Sequence, residues 1–384
     1  MAARWGLLMT LALAWGQPAA GQQWSGVDQA VLKGIRQRTY PGAVVVVGRG
    51  DTILYARGYG HTTWSNRSQR PRPASTLWDL ASLTKVVATA SSAMTLVDRG
   101  DLDLDAPVDR YLPAFVGPDK DLVTVRMLLD HTSGLRPWAP LYRQPDRDAA
   151  LAVLFGEPLQ RTPGQSARYS DLNAILLGLV VERAAGEPLD VLSAQQVFGP
   201  LGMASTHFGV ASAERRQAAP SRLAGRKPVA GVVNDDNARR LGGVAGHAGV
   251  FSTGQDLARF AQAWLRAAIS GVPTWVSPET VRLFTERSAA SGTRALGWDT
   301  PDTSTTSSFG SLAHPGVLGH TGWTGTSLWI DPGQDLFVVL LTNRTLSPRG
   351  NRSLHDIKLV RAELSDAVRR AAGPVCLAQH GAPC

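Results

Sequence analysis

Residues 80–87 read Leu80-Ala81-Ser82-Leu83-Thr84-Lys85-Val86-Val87, and the rest of the chain is organised around them. A serine and a lysine three apart stand one helical turn apart on a shared face. Val86, Val87, Ala88, Ala90, Ala93, Met94, Leu96 and Val97 extend an apolar helical pattern that stops at Asp98-Arg99-Gly100. The chain has five lysines, Lys33, Lys85, Lys120, Lys227 and Lys358, and only Lys85 has a serine at minus three. A serine hydroxyl needs a neighbouring base before it attacks a carbonyl. Burial in the apolar helix is expected to lower the Lys85 pKa toward that role, and the free N–H groups of a helix start can hold an oxyanion. Against this stands chance: one isolated Ser-x-x-Lys in a chain of this size is weak.

Composition narrows the classes. With 384 residues, 43% hydrophobic and 18% charged, the chain is an ordinary globular protein long enough for two domains. The net charge of +8 comes from arginines spread along the whole length, with no nucleic-acid motif, so a nucleic-acid partner is not expected. Met1 to Gly21 reads as an export signal, with Arg4, an apolar run from Leu7 to Trp15 and small residues Ala19-Ala20-Gly21. That run is too short to span a bilayer, and no cysteine beside the cleavage point offers a lipid anchor. The mature protein is expected to start near Gln22 and to be periplasmic or secreted. Cys376 and Cys384 are the only cysteines, and an oxidising compartment would let them close a small loop.

Outward from Ser82 the pattern divides. Before it come a helix over Asp28–Arg38 and two strands, Gly42–Gly48 and Thr52–Ala56, joined at Arg49-Gly50-Asp51. After it, helical segments follow at Val123–Leu129, Ala149–Phe155, Asn173–Ala185, Leu189–Val197, Asp256–Ser270 and Pro278–Glu286. Strands return at Ala295–Trp298, Val317–His320, Gly325–Asp331 and Leu336–Asn343, and His355–Ala371 closes as a helix. The expected fold is α/β (α+β), an antiparallel sheet flanked by terminal helices plus a mostly helical domain. The sheet domain is discontinuous, 22–80 and 290–372, the helical domain covers 81–289, and 373–384 is a tail.

Three further stretches bear on the chemistry. In Arg168-Tyr169-Ser170-Asp171-Leu172-Asn173 a tyrosine precedes a helix, and its oxygen can act as a base where cations surround it. The alternative for Tyr169 is a packed core tyrosine, and for Asp171 a helix N-cap. Gly319-His320-Thr321-Gly322-Trp323-Thr324-Gly325 places small residues beside a strand, where backbone can approach a ligand closely. Leu128-Leu129-Asp130-His131-Thr132-Ser133-Gly134-Leu135 reads as a helix end and a turn. His131 and His247 are read as turn histidines with local hydrogen bonds. Asp235-Asp236-Asn237 is read as a turn or cap rather than a metal site, and no metal or cofactor is expected.

Taken together these words resemble the serine β-lactamase and penicillin-binding superfamily, in its class C β-lactamase-like, DD-peptidase and esterase branch. The triplet is Ser82-Leu83-Thr84-Lys85, Tyr169-Ser170-Asp171 and His320-Thr321-Gly322. Leu129–Leu135 and Gly246-His247-Ala248-Gly249-Val250-Phe251-Ser252-Thr253 look like words of the same branch, and the likeness runs from about Gly42 to Asn343. The resemblance implies the β-lactamase/transpeptidase-like fold with the site between the two domains. It implies Ser82 as the acylated nucleophile, Lys85 as the group that helps deprotonate it and Tyr169 as the proton shuttle. It puts the oxyanion hole at the Ser82 and Trp323 N–H groups, and Asp171, His320, Thr321 and Gly322 at the substrate. A Ser-His-Asp hydrolase is disfavoured, since no Gly-x-Ser-x-Gly elbow occurs.

Two departures bear on substrate. His320 replaces a lysine, and Asp171 stands where the family usually has asparagine. Both are expected to weaken attraction for a substrate carboxylate. A small molecule or cell-wall peptide is the expected substrate: a β-lactam or D-alanyl-D-alanine peptide first, an ester or D-amino-acid peptide next, with a slowly deacylating penicillin-binding sensor as the non-catalytic alternative.

Overall fold

The computed structural model describes residues 23–223, 227–302 and 307–374. The expected export signal and both cysteines lie outside these residues. The first elements are the helix α1 (Ser25–Arg36) and the hairpin β1 (Gly42–Arg49) and β2 (Thr52–Gly60). Next come the short strand β3 (Trp78–Asp79), the Ser82 segment and α2 (Ser91–Asp98). Helices α3 (Val125–Leu129), α4 (Arg147–Gly156), α5 (Asp171–Ala185) and α6 (Leu189–Ser193) follow. Strand β4 (His207–Phe208), α7 (Asp236–Arg240), β5 (Val250–Ser252), α8 (Gly254–Ser270) and α9 (Pro278–Thr285) lead to β6 (Leu318–Thr321), β7 (Ser327–Asp331), β8 (Leu336–Thr342) and α10 (Arg352–Ala372).

The main sheet is antiparallel with strand order β2-β1-β8-β7-β6, so strands from both ends of the chain meet at the β1–β8 pair. That pairing follows from the near-continuous apolar runs in both strands, which are buried on both faces. Ala43, Val45 and Val47 join one core with α1 and α10. Val44 and Val46 alternate to the other face, in the larger core that includes α8. Strand β6 closes the free end of the sheet, beside the Ser82 segment.

The differences from the sequence reading have physical causes. Helices α5 and α8 begin two residues earlier than their apolar patterns suggest, because Ser170 and Thr253 cap them by accepting the Asn173 and Asp256 N–H groups. Ala295–Trp298 forms no strand; only the next residue, Asp299, bridges to Gly319. The Ser82 segment is not one regular helix. Ala81–Leu83 is a single 3₁₀ turn, Lys85–Ala90 is a π turn, and α-helical geometry begins at Ser91. Such π turns occur often at functional sites. A second small sheet, β3-β5-β4, was not legible in the pattern because its strands have only two or three residues.

Candidate active site

The small sheet fixes the approach to Ser82. Trp78 pairs with Ser252 and Asp79 with Phe251, and the chain then turns at Ala81, whose φ of +49° lies in the left-handed region. The Asp79 carboxylate accepts the Ala81 N–H at 2.9 Å and so holds this strained residue in place. The same carboxylate accepts the Asn234 N–H at 2.6 Å. Asp79 is fully buried, and burial is the main reason its pKa is raised to about 6.

Lys85 is 4% exposed. Its Nζ donates to Ser82 Oγ at 2.8 Å and to the His247 carbonyl at 3.3 Å, and forms an ion pair with Asp171 at 2.8 Å. The expectation of a lowered lysine pKa is corrected here. Burial does pull it down, but the Asp171 carboxylate, followed by Tyr169, outweighs burial and holds Lys85 above its ordinary value. Lys85 is therefore a cation that donates to Ser82. Asp171 is not the N-cap of α5; Ser170 is, and Asp171 occupies the first helical turn with its carboxylate turned to Lys85. Its negative charge is thereby offset at close range.

Two cations approach the Tyr169 ring: Lys85 Nζ and the Arg294 guanidinium carbon each lie 5.0 Å from its centroid. The His131 ring stands 4.7 Å from it and the His320 ring 5.9 Å. His131, at φ +63°, accepts the Ser170 N–H on Nδ1 at 3.3 Å, which places it directly behind the Tyr169–Ser170 backbone. Burial, then the nearby Arg294 and Lys85 charges, hold the His131 pKa well below ordinary; for His320 burial also leads, then Lys85 and Arg294. Both imidazoles are neutral at physiological pH. His320 Nδ1 faces the Thr321 carbonyl at 3.0 Å. His247 Nε2 lies 2.8 Å from Asp235, twelve residues earlier in the chain. Asp235 caps α7 by accepting the Ala238 N–H, as its sequence position suggests.

The β6–β7 turn docks onto the Ser82 segment. Thr324 Oγ1 donates to the Asp79 carbonyl at 2.8 Å and Thr326 Oγ1 to the Leu80 carbonyl at 3.0 Å. Gly322 is required there, since a Cβ would collide with Thr326 Oγ1 and the Leu80 carbonyl. The Trp323 N–H takes no backbone acceptor among the described residues, while its carbonyl accepts from Arg344 at 2.6 and 2.9 Å. Ser82, Tyr169, Asp171, His320, Thr321, Gly322 and Trp323 line one cleft of about 1220 Å³, with Lys85 immediately beneath. No cluster of metal-ligating side chains occurs among the described residues. Arg294 was missed by the sequence reading, because a single arginine in a loop of an arginine-rich chain carries no local signal. Asp79 was missed because its role depends on a strand pair of two residues.

The matching family model, described as "Beta-lactamase", covers residues 27–362, so the chain belongs to the β-lactamase family of serine hydrolases. A protein of Escherichia coli K12 named "Putative D-alanyl-D-alanine carboxypeptidase" is 33% identical over 346 residues, 80% of each chain. A Bacillus subtilis protein named "N-acetylmuramyl-L-alanine amidase" is 33% identical over 358 residues, 84% of this chain and 81% of the relative. The solved structure of EstCE1, titled a hydrolase with promiscuous acyltransferase activity, superposes with a TM-score of 0.72 at 23% identity, covering 92% of this chain and all of that one. The last likeness shows the fold.

Proposed function

We propose that this protein is an exported acyl hydrolase working through a Ser82 acyl-enzyme, on the amide of a D-alanyl-D-alanine-type cell-wall peptide. The observation that carries the reading is the 2.8 Å contact between Ser82 Oγ and the buried Lys85 Nζ, beside Tyr169 in an open cleft. In this reading Ser82 attacks the carbonyl, and the Ser82 and Trp323 N–H groups hold the oxyanion. Lys85 is already protonated through its pair with Asp171, so it steadies the serine oxygen rather than taking its proton. That proton passes to the Tyr169 oxygen, in the field of Lys85 and Arg294, and from there to the leaving amine. Water then releases the acyl group by the reverse path. The names of the Escherichia coli and Bacillus subtilis relatives support a cell-wall amide substrate.

The second reading, a promiscuous esterase of the same mechanism, is favoured by the neutral His320. Without a fixed cation there, the β6 edge does not demand a carboxylate. The two are separated by incubating mature protein with a D-alanyl-D-alanine peptide and with p-nitrophenyl acetate. Release of D-alanine by wild type and not by Ser82→Ala supports the peptidase; ester cleavage with no D-alanine release assigns the esterase. Intact mass after addition of a penicillin distinguishes a third outcome: a lasting Ser82 adduct without turnover marks a penicillin-binding sensor.

A further inference from the structure

The cleft does not end at Trp323. It continues past the tryptophan to Arg344, Ser353, Lys358 and Arg361, contributed by the chain after β8 and by α10. Arg344 and Arg361 are 4% and 5% exposed, yet neither has a carboxylate within ion-pair distance among the described residues. Buried charges are ordinarily paired, because an uncompensated one forfeits its hydration. Here two like charges lie close enough that Arg344 helps depress Arg361, after burial. Carbonyls satisfy part of the demand. Arg361 Nη2 donates to Gly322 and Thr326 at 2.9 and 2.8 Å, and Arg344 donates to Trp323 and to Ser353 Oγ. Carbonyl dipoles do not neutralise a charge, and Arg361 Nε is buried with no partner. Lys358 adds an exposed cation at the rim.

This pair is close to the nucleophile. Gly322, whose carbonyl Arg361 holds, lies against the Leu80 carbonyl and the Ala81 side chain, next to Ser82. We propose that the end of the cleft beyond Trp323 is an anion subsite, in which Arg344 and Arg361, with Lys358 at the rim, hold a carboxylate of the substrate whose carbonyl meets Ser82. The subsite is separate from the β6 edge at His320 and Thr321, and it supplies positive charge that the neutral His320 does not. The inference rests on the reading of Ser82 as nucleophile.

The kinetic test compares shape-matched esters that differ only in charge. The pairs are 3-acetoxybenzoate with 3-acetoxybenzamide, and mono-p-nitrophenyl suberate with the corresponding suberamate. A preference for the anionic member of either pair of at least about tenfold in kcat/KM, reduced to less than about twofold in Arg361→Gln or Arg344→Gln, supports the subsite. No preference in wild type, or a preference kept in both variants, overturns it. Arg361 also holds the Gly322–Thr326 turn, so its variant can fail to fold. Calorimetry on full-length Ser82→Ala then decides. Glutarate binding at least about tenfold tighter than butyrate supports the proposal. Equal affinity, or inorganic phosphate binding as tightly as glutarate, contradicts it and leaves an adventitious ion only. Failure of the nucleophile reading is distinct: Ser82→Ala would then hydrolyse these esters at the wild-type rate, whatever calorimetry shows.

Discussion

Buried Lys85 and partly buried Asp171 form an ion pair, Nζ to Oδ1 2.8 Å, directly beneath Ser82. This pair helps to hold the proton on the lysine that touches Ser82. Burial pulls the Lys85 pKa down, but Asp171 and Tyr169 together outweigh it, so it lies above its ordinary value. The stabilisation from that charge is present throughout the neutral range and is lost only as pH rises through the raised pKa.

Replacing the carboxylate by an amide, Asp171→Asn, leaves burial to dominate. Lys85 then titrates at lower pH, and the alkaline inflection in the acylation rate moves down by at least about one unit. Stability at pH 7 falls by about 3 kcal/mol, the low end for breaking a buried pair, since Lys85 can shed its proton. Stopped-flow acylation across pH and urea unfolding check both. An unmoved inflection would mean that Asp171 does not set the charge on Lys85.

Asp79 gives a pH signature of the same sign in the acid range. Its folded pKa of about 6 lies above the ordinary 3.8, so the folded state binds the extra proton and stability decreases as pH rises from about 4 to 6, then levels. The shift corresponds to an effect on the order of 3 kcal/mol. The unfolding free energy of wild type minus that of Asp79→Asn is expected to decline over this window. A flat difference would remove Asp79 from the account.

Gly322→Ala is expected to force the β6–β7 turn off the nucleophile segment, because its Cβ has no room against Leu80 and Thr326. The expected cost is about 2 kcal/mol in stability, as for overpacking elsewhere, with kcat reduced about a hundredfold through displacement of the Trp323 N–H. Retained kcat would mean that the turn does not supply the oxyanion hole.

Much of this architecture is written in local sequence. The valine run of β1 and the apolar run of β8 require a doubly covered sheet, and the stretches around Ser82, Tyr169 and His320 mark the cleft that the fold assembles. What local pattern did not carry is reciprocal electrostatics. Burial of Lys85 is legible from its apolar neighbours, but its raised pKa depends on Asp171, far along the chain. Arg294 against Tyr169, and Arg344 and Arg361 without an ion-pair partner among the described residues, are likewise products of tertiary placement. The two-residue strand β3, which sets the angle at which Ala81 delivers Ser82, is too short to leave a periodic trace.

The central claim is that Ser82 carries the acyl group. The most direct measurement is acid-quenched intact mass and peptide mapping of mature protein during turnover of p-nitrophenyl acetate, with Ser82→Ala alongside. The account predicts an acetyl increment on the peptide containing Ser82, rising and decaying with substrate, and neither increment nor turnover in the variant. An acyl group on another residue, or hydrolysis undiminished in Ser82→Ala, would contradict it.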